Sequence, residues 1–184
     1  MTSFIIKSHV DRLPAPSWNP YQDSETDCTF CRIVRNELPA FKVFEDDNIL
    51  AILDILPLRK GHTLVIPKVH YSRLSELPPD YAAASGQAVS KVAHALTEAL
   101  GNTALNVVCN QEYAQAVPHV HYHIIPAPTF DSLPECSTSQ RISDSTIPPT
   151  RREMHQREFE SREELNENEG ELLAQRIRRS LVRL

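Results

Sequence analysis

Glycine is scarce in this chain, four residues among 184, so turns that need a positive φ must be few. Proline is plentiful at 14 and stiffens many of the connections. No run of about 18 apolar residues occurs, which excludes a membrane-spanning helix. The stretch from Met1 to Val10 carries a short apolar patch but no basic lead and no usable hydrophobic run, so no secretory signal is expected. An excess of basic residues is also missing. The formal charge is −5, which argues against nucleic-acid binding as the main task. A small anionic substrate stays open, because a local site can be positive on an acidic protein. The four cysteines, Cys28, Cys31, Cys109 and Cys136, then point to a reduced compartment, with the cytoplasm expected and the nucleus also open.

What is present is a compact middle with polar extensions. Residues 1–22 hold Pro14, Pro16 and Pro20 without periodicity and read as a flexible extension. Residues 23–130 read as one domain. Within it, Phe41 to Glu45 and Ile49 to Ile55 are β-like runs around a turn at Glu45 to Asn48. His62 to Ile66, Leu105 to Asn110 and Val117 to Pro126 are three further strands, and His70 to Leu77 a short helical turn. Pro78-Pro79-Asp80 opens a helix over Tyr81 to Leu100, closed by Gly101-Asn102. Residues 131–150 are rich in Ser, Thr and Pro and read as a loop or disordered stretch. Residues 151–184 form a charged helical extension, solvated from Arg151 to Leu165. An apolar stripe follows at Leu172, Leu173, Ile177, Leu181 and Leu184.

His119-Val120-His121-Tyr122-His123-Ile124-Ile125 carries most of the chemical information. On a strand, alternate side chains share a face, so the three imidazoles project together and Val120, Tyr122 and Ile124 point to the core. An imidazole near neutral pH is a nucleophile, a proton carrier or a metal ligand. A structural metal site, or exposed histidines without a role, are the plainer readings. Cys28-x-x-Cys31 is a two-spaced thiol pair, half of a tetrahedral zinc site. Two buried thiols are the plainer alternative, and a redox dithiol lacks its βαβ setting.

The histidine segment resembles the His-φ-His-φ-His-φ-φ signature of the histidine triad superfamily. Asp27 to Val34, Val43 to Asp47, Ala51 to Ile55 and Lys60 to His70 resemble its other blocks in the same order, closest to the histidine triad nucleotide-binding branch. The resemblance covers about residues 27–128. It implies an α+β fold: about five antiparallel strands with a long helix packed on them, in a homodimer. It implies that His121 attacks the α-phosphorus of an AMP-containing substrate and is transiently adenylylated, with His123 and His62 beside the phosphate. Asp54 matches the position that binds the ribose hydroxyls; read alone it is a turn residue at a strand end. Phe30, Ile33, Ile52 and Ile55 match positions that enclose adenine; read alone they are core. Asn110 and Gln115 match polar positions around phosphate and nucleoside; read alone they satisfy loop backbone. Family members with the thiol pair complete a zinc site with the counterparts of His70 and His119, so the implied ligands are Cys28, Cys31, His70 and His119.

One departure stands out. The loop Cys109 to Pro118 looks about two residues short and has no glycine, and Ala116 occupies the place where many of these hydrolases carry a serine donor. Three functions follow as expectations: an adenosine phosphoramidase-like hydrolase releasing AMP from a purine nucleotide conjugate; a dinucleoside polyphosphate hydrolase; and a nucleotide-binding or scaffold protein with little turnover.

Overall fold

The computed structural model describes residue 25 and residues 28–112, 114–128 and 162–182. The elements run α1 (Thr29–Val34), β1 (Lys42–Glu45), β2 (Ile49–Leu53), β3 (Thr63–Pro67), α2 (Pro79–Leu100), β4 (Leu105–Cys109), β5 (Tyr122–Pro126) and α3 (Glu167–Leu181). The strands form one antiparallel sheet in the order β1-β2-β3-β5-β4. The expected five-stranded α+β architecture is therefore present.

β2 reads Ile-Leu-Ala-Ile-Leu, apolar at every position and buried throughout. It has no polar face because the sheet is covered on both sides. Ile49, Ala51 and Leu53 point to one side and pack with Val92, Ala95 and Leu96 of α2 and Leu173, Ala174 and Ile177 of α3. Leu50 and Ile52 point to the other side, where Leu64, Ile66 and the α1 residues Phe30 and Ile33 complete a second core. The long helix begins with Pro79 in its first turn, where a missing N–H costs nothing. It ends on Gly101 at φ 66°, the left-handed stop that glycine adopts without strain.

Several boundaries differ from expectation. The short helical turn narrows to a 3-10 turn at Leu74–Glu76. The fifth strand begins at Tyr122, five residues later than expected. Pro118 has no N–H to give, the His119 N–H bonds Val117 O, and the Val120 N–H bonds Tyr71 O at 2.7 Å. The backbone donors of this stretch are thus spent outside the ladder. Even so, Val120 and Ile124 are buried in the core and Tyr122 packs against it, as the alternation requires.

Residues 162–165 are not helical. The Leu165 N–H donates to Ile55 O at 2.8 Å, and Asn166 starts α3 by accepting from the Asn168 N–H at 3.0 Å. Leu172 is 67% exposed, so the docking stripe of α3 consists of Leu173, Ala174 and Ile177, with Leu181 packed against the same core as expected. The expectations for residues 1–22, 131–150, 151–161 and Leu184 lie outside the described residues. No helix among the described residues is long and apolar enough to cross a membrane.

Candidate active site and metal centre

The site lies on the α1 side of the sheet. His123 sits on β5 opposite Leu64 of β3 and Val108 of β4, and its ring turns away from the helical core. The rings of His121 and His123 lie 4.8 Å apart, and Phe30 of α1 meets His121 edge-on at 5.1 Å. A cavity of about 880 Å³ opens onto both histidines and onto His62, Asp54 and Asn110. Its apolar wall includes Phe30, Ile33, Ile52 and Ile55, the four residues matched to an adenine pocket. Three of them are also buried core, while Ile55 is 57% exposed at the mouth.

Hydrogen bonds fix which nitrogen of each imidazole carries its proton. His121 Nδ1 lies 2.6 Å from the carbonyl oxygen of His119. A carbonyl only accepts, so Nδ1 holds the proton and Nε2 keeps its lone pair. Burial lowers the basicity of His121, which favours this neutral form. The Leu58 N–H points at His62 Nδ1 at 3.2 Å, which leaves the His62 proton on Nε2, 3.0 Å from His123 Nδ1. His123 then accepts at Nδ1 and holds its proton on Nε2.

Burial, with His123 and Arg162 close by, holds His62 well below the ordinary imidazole range. Asp54 Oδ2 approaches His62 Nδ1 at 3.2 Å, but with a neutral ring the contact is not an ion pair. Burial raises the Asp54 carboxyl, while the Leu56 N–H at 2.9 Å and the charge of Arg162 oppose the rise.

A second cluster lies just behind. Cys28, Cys31, His70 and His119 bring one donor atom each within 4.8 Å of one another. Cys28 Sγ and Cys31 Sγ lie 3.4 and 3.5 Å from His119 Nδ1. His70 Nδ1 lies 3.2 Å from both Cys31 Sγ and His119 Nδ1. A tetrahedral cation with metal–sulfur and metal–nitrogen bonds of about 2.3 and 2.05 Å requires sulfur–nitrogen separations near 3.5 Å and nitrogen–nitrogen separations near 3.3 Å. The donor set fits. His119 Nε2 lies 2.8 Å from Pro67 O, so its proton is held there and Nδ1 is left as a ligand. Without a cation, burial followed by the neighbouring Cys28 pushes the Cys31 thiol up to about 12. A bound cation would offset that cost of forming thiolate.

A family model for the HIT domain matches residues 35–129, more than half of the chain. The chain belongs to the HIT-domain family. It is 43% identical over 111 residues to an adenylylsulfatase, HINT3, of Arabidopsis thaliana; the match spans 59% of this chain and 56% of that one. It is 44% identical over 103 residues to adenosine 5'-monophosphoramidase hnt1 of Schizosaccharomyces pombe, covering 55% of this chain and 74% of the relative. The crystal structure of a zinc-bound histidine triad family protein from Mycobacterium smegmatis superposes with a TM-score of 0.62 at 30% identity. That likeness covers 87% of this chain and 96% of the other, and so runs well beyond the domain itself.

Of the positions matched to nucleotide contacts in this HIT domain, one lies outside the cavity lining. Gln115 does not line the cavity: its side-chain amide donates to Ser72 O at 2.9 Å and its oxygen accepts from the Glu112 N–H at 2.7 Å, which fastens the loop. Asn110 does line the cavity and donates to Ala114 O at 3.3 Å. Ala116 also faces it. The glycine-free loop turns instead through Glu112 at φ 59° and Ala114 at φ 58°, a left-handed backbone that costs a side-chain-bearing residue energy. Sequence reasoning missed α1, too short at six residues to show a period, and it missed Arg162, which reaches the cavity from the far end of the chain.

Proposed function

We propose that this protein is a nucleotide hydrolase of the adenosine phosphoramidase type, which releases AMP through an adenylylated His121. The observation that carries the reading is the 2.6 Å contact between His121 Nδ1 and the backbone carbonyl of His119. It leaves the Nε2 lone pair for the cavity that Phe30, Ile33 and Ile52 line with apolar surface. In the first step Nε2 forms a bond to the α-phosphorus, and the bond from phosphorus to the leaving amine or oxygen breaks. The proton on His123 Nε2 goes to the leaving group, and His62 Nε2–H stands behind His123 to support its Nδ1. In the second step water gives a proton to His123 Nε2 as it attacks phosphorus, the phosphorus–nitrogen bond breaks, and AMP leaves with His121 and His123 both restored. Splitting one displacement into two lowers each barrier. The names of the Arabidopsis and fission-yeast relatives, a sulfatase and a phosphoramidase of adenylyl compounds, support the substrate class.

In this reading Asp54 receives the ribose hydroxyls and Phe30, Ile33, Ile52 and Ile55 enclose adenine. The cation at Cys28, Cys31, His70 and His119 is a structural zinc. It ties the start of α1 to the catalytic segment and supplies no step. A homodimer of this HIT domain has the outer edge of β4, with Val107 45% exposed, open to it. Cys28, Cys31 and Cys109 are in no disulfide, which suits the cytoplasm or nucleus.

The test offers the purified protein an adenosine phosphoramidate, adenylyl sulfate and dinucleoside tri- and tetraphosphates, with His121→Ala alongside. AMP release by the native chain alone, with a phosphorus–nitrogen adduct on His121 after rapid acid quench, is the expected result. Equal release by both proteins removes His121 as nucleophile. AMP binding without turnover on any substrate leaves a nucleotide-binding protein instead.

A further inference from the structure

The cavity wall holds a charge imbalance. His62 is held toward its neutral form by burial. The carboxylates on the wall are Asp54, Glu164, Glu167 and Glu171. Among the described lining residues, Arg162 alone carries a fixed positive charge. Beside Arg162 the wall offers imidazoles, Asn110, Ala116 and the acidic groups.

Arg162 does not belong to the catalytic core in sequence. It lies on the extended segment before α3, more than thirty residues beyond β5. Two anchors hold that segment in place. The Leu165 N–H bonds Ile55 O at 2.8 Å, at the mouth of the cavity. Five residues on, Gly170 presses α3 onto the ring of Phe41, where an added Cβ would sit 2.6 Å from the nearest ring atom. Arg162 lines the same cavity as Asp54 and His62, and its charge acts on both groups, as that of Arg59 also does on His62. A guanidinium has five N–H donors in a planar fork, enough to serve a neighbouring group and still present donors to an anion.

We propose that Arg162, delivered by the C-terminal segment, is the phosphate-binding cation of this site and so sets its preference for nucleotides over nucleosides. The assignment rests on the proposed nucleotide chemistry but is read by binding and not by turnover. It accounts for how the cavity receives an anion although the loop donor is replaced by Ala116.

The test measures AMP and adenosine binding to the full chain by titration calorimetry, for the native protein, Arg162→Gln and Arg162→Lys. The native protein should bind AMP at least about 10-fold tighter than adenosine. Arg162→Gln should lose about 10- to 100-fold in AMP affinity, the range for a charge-assisted contact, with adenosine within about 2-fold of native. Arg162→Lys should recover part of the loss, and raised salt should weaken AMP binding to native protein more than to Arg162→Gln. Unchanged AMP affinity in Arg162→Gln overturns the proposal. So does an equal loss for adenosine, which would mean the segment had merely shifted, and so does a native protein that does not distinguish the two ligands. A protein that shows the AMP preference and its loss in Arg162→Gln, yet turns over no substrate, sinks the hydrolase reading and leaves Arg162 in its role.

Discussion

His119 and His121 are two residues apart on one segment, both buried, and opposite in chemical use. His119 gives its Nε2 proton to Pro67 O and turns Nδ1 toward two thiols and His70. His121 gives its Nδ1 proton to His119 O and keeps the Nε2 lone pair for the cavity. The side chains are identical, so the difference lies in which backbone carbonyl claims which nitrogen. In the proposed reading, residue type alone does not make a nucleophile or a ligand; the position of one carbonyl does.

The sharpest way to break this contrast is to remove each ring in turn. His121→Ala should lower AMP release by about 10³-fold or more and leave bound zinc unchanged. His119→Ala should lose zinc. Turnover assays and metal analysis on the same preparations read both, and metal loss from His121→Ala would erase the distinction. Next in size is the thiol cluster. Cys31→Ser, or chelation of the native protein, should cost about 3 kcal/mol or more of stability, seen as a lower Tm, because metal binding is coupled to folding. His62→Gln, in the neighbouring cluster, should leave zinc content unchanged.

A pH experiment sharpens the other half. His62 is held well below its ordinary value in the fold, so between the ordinary imidazole pKa and the folded one the unfolded chain binds more protons. Its stabilising share is complete above about pH 6.5 and is lost as pH falls below that. Urea unfolding at pH 7.5 and 5.5 should show a smaller drop for His62→Gln than for the native protein; equal drops would mean the ring is not held neutral. The smallest effect belongs to the loop that leads into both histidines. Ala114→Gly removes a side chain from a left-handed position and should add about 0.5–1 kcal/mol in the same assay, despite glycine's entropy.

Much of this was legible in the residues. The period of the long helix and its Pro79 and Gly101 ends are local signals, and the structure uses them as written. The alternation of His121, Tyr122, His123 and Ile124 separated cavity from core correctly. What failed was decided at a distance. The Val117 to His121 stretch looks like strand, but its N–H groups are taken by Val117 O and Tyr71 O instead of by β4. α1 exists because Phe30, Cys31 and Ile33 bury against Ile52 and Ile66, not because six residues have a helical period. Arg162 could not be placed at all from spacing, since only the docking of α3 brings it to Asp54 and His62. Gln115 matched a nucleotide-contacting position, yet its amide nitrogen donates to Ser72 O and His119 O and its oxygen accepts from the Glu112 N–H.

The anchoring of Gly170 on Phe41 also has a bearing on biosynthesis. The sheet and its histidines emerge from the ribosome first, but the wall carrying Arg162 is finished only when residues 162–181 follow and the last helix docks. Until that moment a nascent chain exposes the apolar face of β1 and α2 that α3 later covers, and none of the described residues then lining the cavity carries a fixed positive charge.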